Sequence, residues 1–265
     1  MQRAFKALHP FAALGALLGL LCVLPAAARP NPAAIDWQTI GGVSIARTET
    51  TIGQFRRFVR ATALVTRAEQ QGGGEVFEAG WTRKPGWIWQ APFGAGGKPS
   101  DDEPAVHVTF DEAQAFCRWA GGRLPTDAEW LRAAYTETRP SPPAPFVRGR
   151  TYRYPTGERP EGAQCLDDCG AEAARRAVNH GATLTRGVGH ARAGTTAAGV
   201  NGLFDMGANA WEWVDEPRGA TGSSERRTRG GSWWYGAAQM RADHLQGKPA
   251  GTAVVYIGFR CVRPD

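Results

Sequence analysis

The stretch PAVHVTFDEAQAFCRWAGGRLPTDAEWLRAA, residues 104–134, carries the clearest local signals in the chain. Residues 106–110 alternate between apolar and polar side chains, as a strand does. After Asp111, which can act as a helix N-cap, apolar residues recur at helical spacing until a glycine pair ends the helix. A second helix starts with Thr126 as its N-cap and Glu129 at capping-box spacing. This order of elements predicts a mixed domain of short strands and short helices.

The flanking sequence continues in short elements. Residues 43–45 predict a strand, and residues 51–60 predict a helix preceded by threonines that can cap it. A loop rich in glycine, proline and tryptophan follows at 71–100. The chain shows no internal repeat and no linker, so we expect one folded domain after the N-terminal segment.

The composition agrees with such a fold. The 265 residues include 34 glycines, 18 prolines and 10 tryptophans, which favours ordered loops around a core of large rings. The formal net charge of +6 comes from scattered basic residues. No basic stripe or nucleic-acid-binding module accompanies the charge, so we expect no nucleic-acid partner.

The N-terminal segment, residues 1–28, has the pattern of a signal peptide. Arg3 and Lys6 precede an apolar run at 11–24, and small residues before Arg29 predict cleavage after Ala28. An uncleaved anchor and a lipid attached at Cys22 are the alternatives. Export to the periplasm or beyond, with no membrane association after cleavage, is therefore the expectation.

Four cysteines remain once the signal peptide is removed. An even number in an exported protein predicts disulfides, with three possible connectivities. Cys165 and Cys169 are near neighbours, and their pairing would leave Cys117 with Cys261. A metal site at the near pair is the alternative, although no second pair or histidine stands at ligand spacing.

Five segments resemble motifs of the formylglycine-generating-enzyme (sulfatase-modifying factor) family. In chain order they are IARTETTIGQFRRFV (45–59), the stretch at 104–134, NGLFDMGANAWEWVDE (201–216), RGGSWW (229–234) and IGFRCVR (257–263). The resemblance implies one sulfatase-modifying-factor domain over residues 29–265. It implies an α+β fold that is irregular, C-type-lectin-like and low in regular secondary structure. It also implies a bridge between Cys117 and Cys261, which match two positions bridged in family members.

The chain lacks one feature that the resemblance leads us to expect. The enzymes of this family hold copper on a cysteine pair between the GGSW-like motif and the closing motif, and use it to convert a substrate cysteine into formylglycine. The segment 232–260 contains no cysteine, and the two positions fall at Tyr235 and Met240. Cuprous copper prefers soft thiolates. We therefore expect neither bound copper nor formylglycine synthesis; a soft-ligand role for Met240 beside His244 is the alternative.

The resemblance implies a calcium site around the WEW motif. Its ligands would be the carboxylates of Asp205 and Glu212 and the backbone carbonyls of Ala208 and Ala210. Such hard oxygen donors suit calcium. In the alternative reading, Glu212 only accepts backbone hydrogen bonds in a buried loop. A second family site would involve Asn179, but its other carboxylate has no match.

The histidines give no metal signature in the sequence. His107 lies in the predicted strand and is interpreted as structural, and His180, His190 and His244 lie in loops without metal-ligand spacing. We therefore predict no metal site from histidine.

Two classes of function follow. The first is a non-catalytic binding or accessory module that takes a protein, peptide or glycan in a groove rimmed by Trp233, Trp234, Tyr235 and Arg241. The second is a periplasmic oxidoreductase of different chemistry, such as a siderophore-maturation-type oxidase or a redox-enzyme accessory factor. The loss of the cysteine pair from a preserved framework favours the first class.

Overall fold

Short helices and strands follow one another along the chain. A computed structural model describes Met1 and residues 31–217 and 224–265; the predicted signal peptide, beyond Met1, lies outside the described residues. The helices are α1 (Ile52–Thr62), α2 (Arg67–Gln70), α3 (Phe110–Trp119), α4 (Asp127–Tyr135) and α5 (Glu172–Arg176). The strands are β1 (Trp37–Ile40), β2 (Val43–Ala46), β3 (Glu75–Phe77), β4 (Trp81–Arg83), β5 (Trp211–Pro217), β6 (Glu225–Arg229), β7 (Gln246–Pro249), β8 (Ile257–Gly258) and β9 (Val262–Pro264). The remaining described residues form loops and single 3-10 turns, which confirms an α+β fold low in regular structure.

Three small sheets carry the strands. One has the order β1-β2-β9, so the start and the end of the domain pair with each other. A second is the β3-β4 hairpin, and the third has the order β7-β6-β5-β8. Within the third sheet β5 and β8 run parallel, and Glu212 on β5 is in register with Gly258 on β8. This pairing brings the WEW motif next to the closing GFRC motif.

Capping boxes set the starts of the main helices. Thr51 caps α1 and Thr126 caps α4, each by accepting the backbone N–H three residues later. In α4 the Glu129 carboxylate accepts a hydrogen bond from the Thr126 N–H, as predicted. The predicted start of α4 is confirmed, because the residues that signal it lie next to each other in the chain.

The prediction for the segment before α3 is wrong in two respects. His107 has a left-handed backbone (φ 57°), which interrupts the strand predicted at 106–110. The cap of α3 is Thr109 and not Asp111, since Thr109 and Glu112 form the capping box. Asp111 instead occupies the first turn, where a carboxylate interacts favourably with the helix dipole.

Aromatic rings fill the core between α1 and α3. Phe55 stacks on Phe116 with ring centroids 5.8 Å apart, and Phe259 meets Phe116 edge-on at 5.3 Å. Trp89 from the glycine-rich loop is fully buried and packs at 5.1 Å against Phe55. Large rings thus join the loops to the helices, as the composition predicted.

Two disulfides link distant and near parts of the chain. Cys117 on α3 is bonded to Cys261 next to β9, with Cα atoms 5.5 Å apart, and Cys165 is bonded to Cys169. Both predicted pairings are confirmed, and the metal alternative at the near pair is wrong.

Within the residues described, no helix has the length and apolar character needed to cross a membrane.

Candidate functional site

The two positions that carry the cysteine pair in the family are built differently here. Met240 is fully buried, and its sulfur lies 3.8 Å from the Sγ of Cys169. Tyr235 packs against Trp211 with ring centroids 6.0 Å apart and lies under the guanidinium of Arg186. Neither side chain is a thiolate, and the four cysteines of the described chain are all in disulfides.

The predicted ligand groove is wrong for two of its four residues. Trp233 is 0% and Trp234 is 1% exposed, so both rings belong to the core. Trp233 packs against Phe93, and Trp234 stacks on a buried tyrosine. Tyr235 and Arg241 are half-buried and accessible from the surface.

The predicted calcium loop has an unusual backbone. Asp205, Ala208 and Asn209 all have left-handed φ values, at 58°, 59° and 54°. Such conformations are strained for residues other than glycine, and they cluster at functional sites. The Asp205 side chain is buried and accepts hydrogen bonds from the Gly194 N–H (2.6 Å) and the Thr196 hydroxyl (2.7 Å). The loop is therefore fixed by its carboxylate.

Glu212 is held mainly by side chains. Its carboxylate accepts the indole N–H of Trp130 at 2.8 Å and forms a two-pronged ion pair with Arg260. Arg260 also donates to the Ala46 carbonyl at 3.0 Å. The interpretation of Glu212 as a simple acceptor for backbone groups is therefore wrong.

A third carboxylate, which the sequence did not single out, completes this cluster. Glu49 is fully buried and accepts from the Asn209 amide at 2.6 Å and from the Ala210 N–H at 2.8 Å. Burial, and then the neighbouring carboxylates of Asp205 and Glu212, raise the pKa of Glu49 well above its usual range. Burial likewise raises the pKa of Asp205.

The cluster suits a divalent cation in charge and in donor type. Three buried carboxyl groups lie near one buried guanidinium, so ionising all three would leave an excess of negative charge in the interior, which is reflected in the raised pKa values of Glu49 and Asp205. Burying uncompensated charge is costly, and a dication bound by Asp205, Glu212 and the carbonyls of Ala208 and Ala210 would offset it. Carboxylate and carbonyl oxygens are the donors that calcium prefers.

The structure brings together three side chains that the sequence analysis kept apart. The Nε2 atoms of His180 and His190 each lie 2.8 Å from one carboxylate oxygen of Glu103. In the described ranges these are the three potential metal ligands that converge on one point. The sequence analysis missed this grouping, because spacing along the chain does not reveal which loops cross.

His107 has the structural role that the sequence predicted. Its ring is fully buried, and Nε2 lies 2.9 Å from the Pro92 carbonyl. Burial lowers the pKa of His107 to about 4, so the ring is neutral at physiological pH. This is a structural histidine that ties the glycine-rich loop to the segment before α3.

The comparisons with known proteins establish the family. Residues 27–264 match the model of the sulfatase-modifying factor enzyme 1-like domain. The chain therefore belongs to the sulfatase-modifying factor family, which includes the formylglycine-generating enzymes.

Individual relatives differ in their reported activities. The chain is 30% identical over 252 residues to the formylglycine-generating enzyme of Thermomonospora curvata, covering 78% of this chain and 77% of that one. It is 28% identical over 243 residues to the inactive C-alpha-formylglycine-generating enzyme 2 of Mus musculus, covering 78% and 70%. It is 31% identical over 222 residues to the hercynine oxygenase of Mycolicibacterium thermoresistibile, covering 74% of this chain and 45% of that one. Active and inactive proteins thus share this domain.

Solved structures show the same fold. PvdO from Pseudomonas aeruginosa superposes with a TM-score of 0.55 at 16% identity, covering 84% of this chain and 80% of that one. CarF superposes with a TM-score of 0.55 at 19% identity, covering 87% and 97%. These likenesses support the irregular, C-type-lectin-like architecture.

Proposed function

We propose that this protein is an exported member of the sulfatase-modifying factor family without formylglycine-generating activity, which acts as a binding or accessory module. The observation that carries the proposal is the chemistry at the two positions of the cysteine pair, which are Tyr235 and Met240. A tyrosine and a buried methionine cannot supply the thiolates that cuprous copper prefers. The Mus musculus relative is named as an inactive formylglycine-generating enzyme, so it is a precedent for this domain without that activity.

Two further observations support export and a binding role. Both disulfides are of the kind that forms in oxidising compartments such as the periplasm. The framework around the lost pair, including the aromatic core under Tyr235, is intact. A preserved scaffold with an accessible Tyr235 and Arg241 suits a protein, peptide or glycan partner.

The proposal is tested by assaying the family reaction directly. Untagged protein, loaded with copper, is incubated with a sulfatase-type cysteine peptide, and the peptide mass is followed. We expect the cysteine to be unchanged, while the Thermomonospora curvata relative, run in parallel, converts it. Formation of the aldehyde by this protein would overturn the proposal.

Calcium at Asp205, Ala208, Ala210 and Glu212 is the second part of the proposal. A dication that binds only the folded state stabilises it, by about 2.7 kcal/mol at a concentration one hundred times its Kd. We expect the Tm of chelator-treated protein to rise on addition of calcium. The Asp205→Ala variant should lose most of this response, whereas Asp243→Ala, at an exposed carboxylate, should keep it. Equal responses in both variants would contradict the site.

The oxidoreductase class is the second candidate function. It is favoured by the similarity to a hercynine oxygenase and by the convergence of Glu103, His180 and His190. Elemental analysis of untagged protein separates the two candidates. Calcium without a redox metal favours the binding module, and stoichiometric iron or copper favours an oxidoreductase.

A further inference from the structure

We propose that Glu103, His180 and His190 form a binding site for a divalent first-row transition-metal ion of the zinc or ferrous type, open on one side to a basic pocket. This site is separate from the carboxylate cluster of the calcium loop and from the positions of the family's cysteine pair. The inference goes beyond the proposed function, because a metal here can serve either a binding module or an enzyme.

The three side chains already have a ligand-like arrangement. One oxygen of Glu103, Oε2, lies 2.8 Å from the Nε2 of His180 and 2.8 Å from the Nε2 of His190. The other oxygen, Oε1, accepts the Ser100 N–H at 2.8 Å. The carboxylate is therefore anchored by one oxygen and presents the other to both imidazoles.

The backbone forces the two histidines together. The Val178 N–H donates to the carbonyl of His190 at 2.9 Å, so the segments that carry the two rings are directly bonded. At their crossing, a Cβ on Gly181 would lie 2.8 Å from the Cα of Gly189. Only glycine allows this approach, and the close crossing places both rings on one side.

Packing fixes the rings further. Phe93 contacts the ring of His180 at 5.2 Å and that of His190 at 5.0 Å between centroids. The Nδ1 of His190 is buried and has no hydrogen-bond partner among the described residues. Because Nε2 of His190 faces the Glu103 carboxylate, its proton lies on Nε2 in the metal-free protein. A bound metal would replace that proton and leave Nδ1 as the protonated nitrogen.

The donor set selects the class of metal. Imidazole nitrogen suits zinc, iron, copper and nickel, whereas calcium and magnesium prefer oxygen donors. Two histidines and one carboxylate, with further coordination positions open, are the ligand set of non-haem ferrous sites. The same three ligands with one water also suit zinc.

The open side of the cluster faces a pocket with a positive lining. Glu103 and His180 form part of the wall of a cavity of about 510 Å³. The cationic residues of the same wall are Lys98, Arg175, Arg176 and Arg192. His180 retains 17% of its side-chain exposure, whereas His190 has none, so access to a metal would be from this pocket. Its charge favours an anionic ligand on the open coordination position.

The test uses untagged, chelator-stripped protein with cobalt as a spectroscopic probe. We expect one equivalent of Co²⁺ to give visible d–d bands, which Zn²⁺ abolishes by competition and which excess Ca²⁺ leaves unchanged. Azide, a small anion, should shift these bands by entering the open position. Arg192→Gln should weaken the azide effect without weakening Co²⁺ binding.

Matched variants distinguish a metal site from a structural hydrogen-bond cluster. Glu103→Gln and His180→Gln should each weaken Co²⁺ binding by at least tenfold, while His244→Gln, at a histidine outside the cluster, should bind as the wild type does. Near-UV circular dichroism of each apo variant checks that it is folded. Absence of stoichiometric binding by the folded wild type would overturn the proposal, and so would equal binding by wild type and a folded His180→Gln variant.

Discussion

Arg260 is the residue on which the buried carboxylate cluster depends most. It is fully buried, and its guanidinium donates to the Glu212 carboxylate and to the backbone carbonyls of Ala46 and Phe204. Removing one partner of a buried ion pair leaves the other charge without compensation. Here the group left without its partner would be the buried carboxylate of Glu212.

Arg260→Gln should therefore destabilise the protein strongly. We expect a loss of about 3–5 kcal/mol in the free energy of unfolding, as for other broken buried ion pairs. Arg241→Gln, which breaks the exposed pair with Asp243, should cost at most about 1 kcal/mol. Urea denaturation of both variants provides the comparison, and similar losses in the two would contradict the role given to Arg260.

Single residues also show where sequence reasoning failed. Trp233 and Trp234 are of a residue type that is common in binding surfaces, yet both are buried. Their side chains could not be placed from the sequence because a large aromatic ring suits a core and a binding surface equally well. The difference is made by the turn at Gly230 and Gly231, both with positive φ, which sets the direction of the following chain.

At the scale of the element, α4 is the helix whose start is signalled most completely by residues close to it in the chain. Its start and its capping box were predicted because Thr126 and Glu129 lie three residues apart. The carboxylate of Glu129 additionally forms a two-pronged pair with Arg123, at 2.7 and 2.6 Å. The hydrogen bonds from Arg123 hold the pKa of Glu129 at about 2, below its ordinary value of 4.5.

This shift predicts a pH dependence of stability. A carboxyl group with a lowered pKa in the folded state stabilises the protein above its unfolded pKa, near 4.5, and loses that contribution as the pH falls towards 2. Wild type should therefore exceed Glu129→Gln in Tm at pH 6, and the difference should shrink between pH 4.5 and pH 2.5. A constant difference across that range would show that the charge of Glu129 contributes nothing.

At the scale of the whole molecule, the disulfide between Cys117 and Cys261 closes most of the domain. It joins α3 to the C-terminal segment across 144 residues, whereas Cys165 and Cys169 are separated by 4. In the chain-entropy view, a bridge restricts the unfolded state more as its loop becomes longer.

The two disulfides should thus differ in their effect on stability. Replacing Cys117 and Cys261 by alanine should cost about 5 kcal/mol in the free energy of unfolding, against about 2 kcal/mol for Cys165 and Cys169. Chemical denaturation of the two double variants measures both losses. An equal or larger loss for the short bridge would contradict the entropic origin of the difference.

The sequence by itself determined the family, the α+β class and the main helices, and the family resemblance implied the bridge between Cys117 and Cys261. These features depend on motifs and on signals such as capping boxes, whose partners lie within a few residues of each other. Only the tertiary structure decided that Glu103 meets His180 and His190, and that Glu49 bonds to Asn209 and Ala210 close to Asp205 and Glu212. These contacts form where irregular loops cross, held by backbone hydrogen bonds such as that from Val178 to His190. A loop crossing has no periodicity, so no pattern along the chain could reveal it.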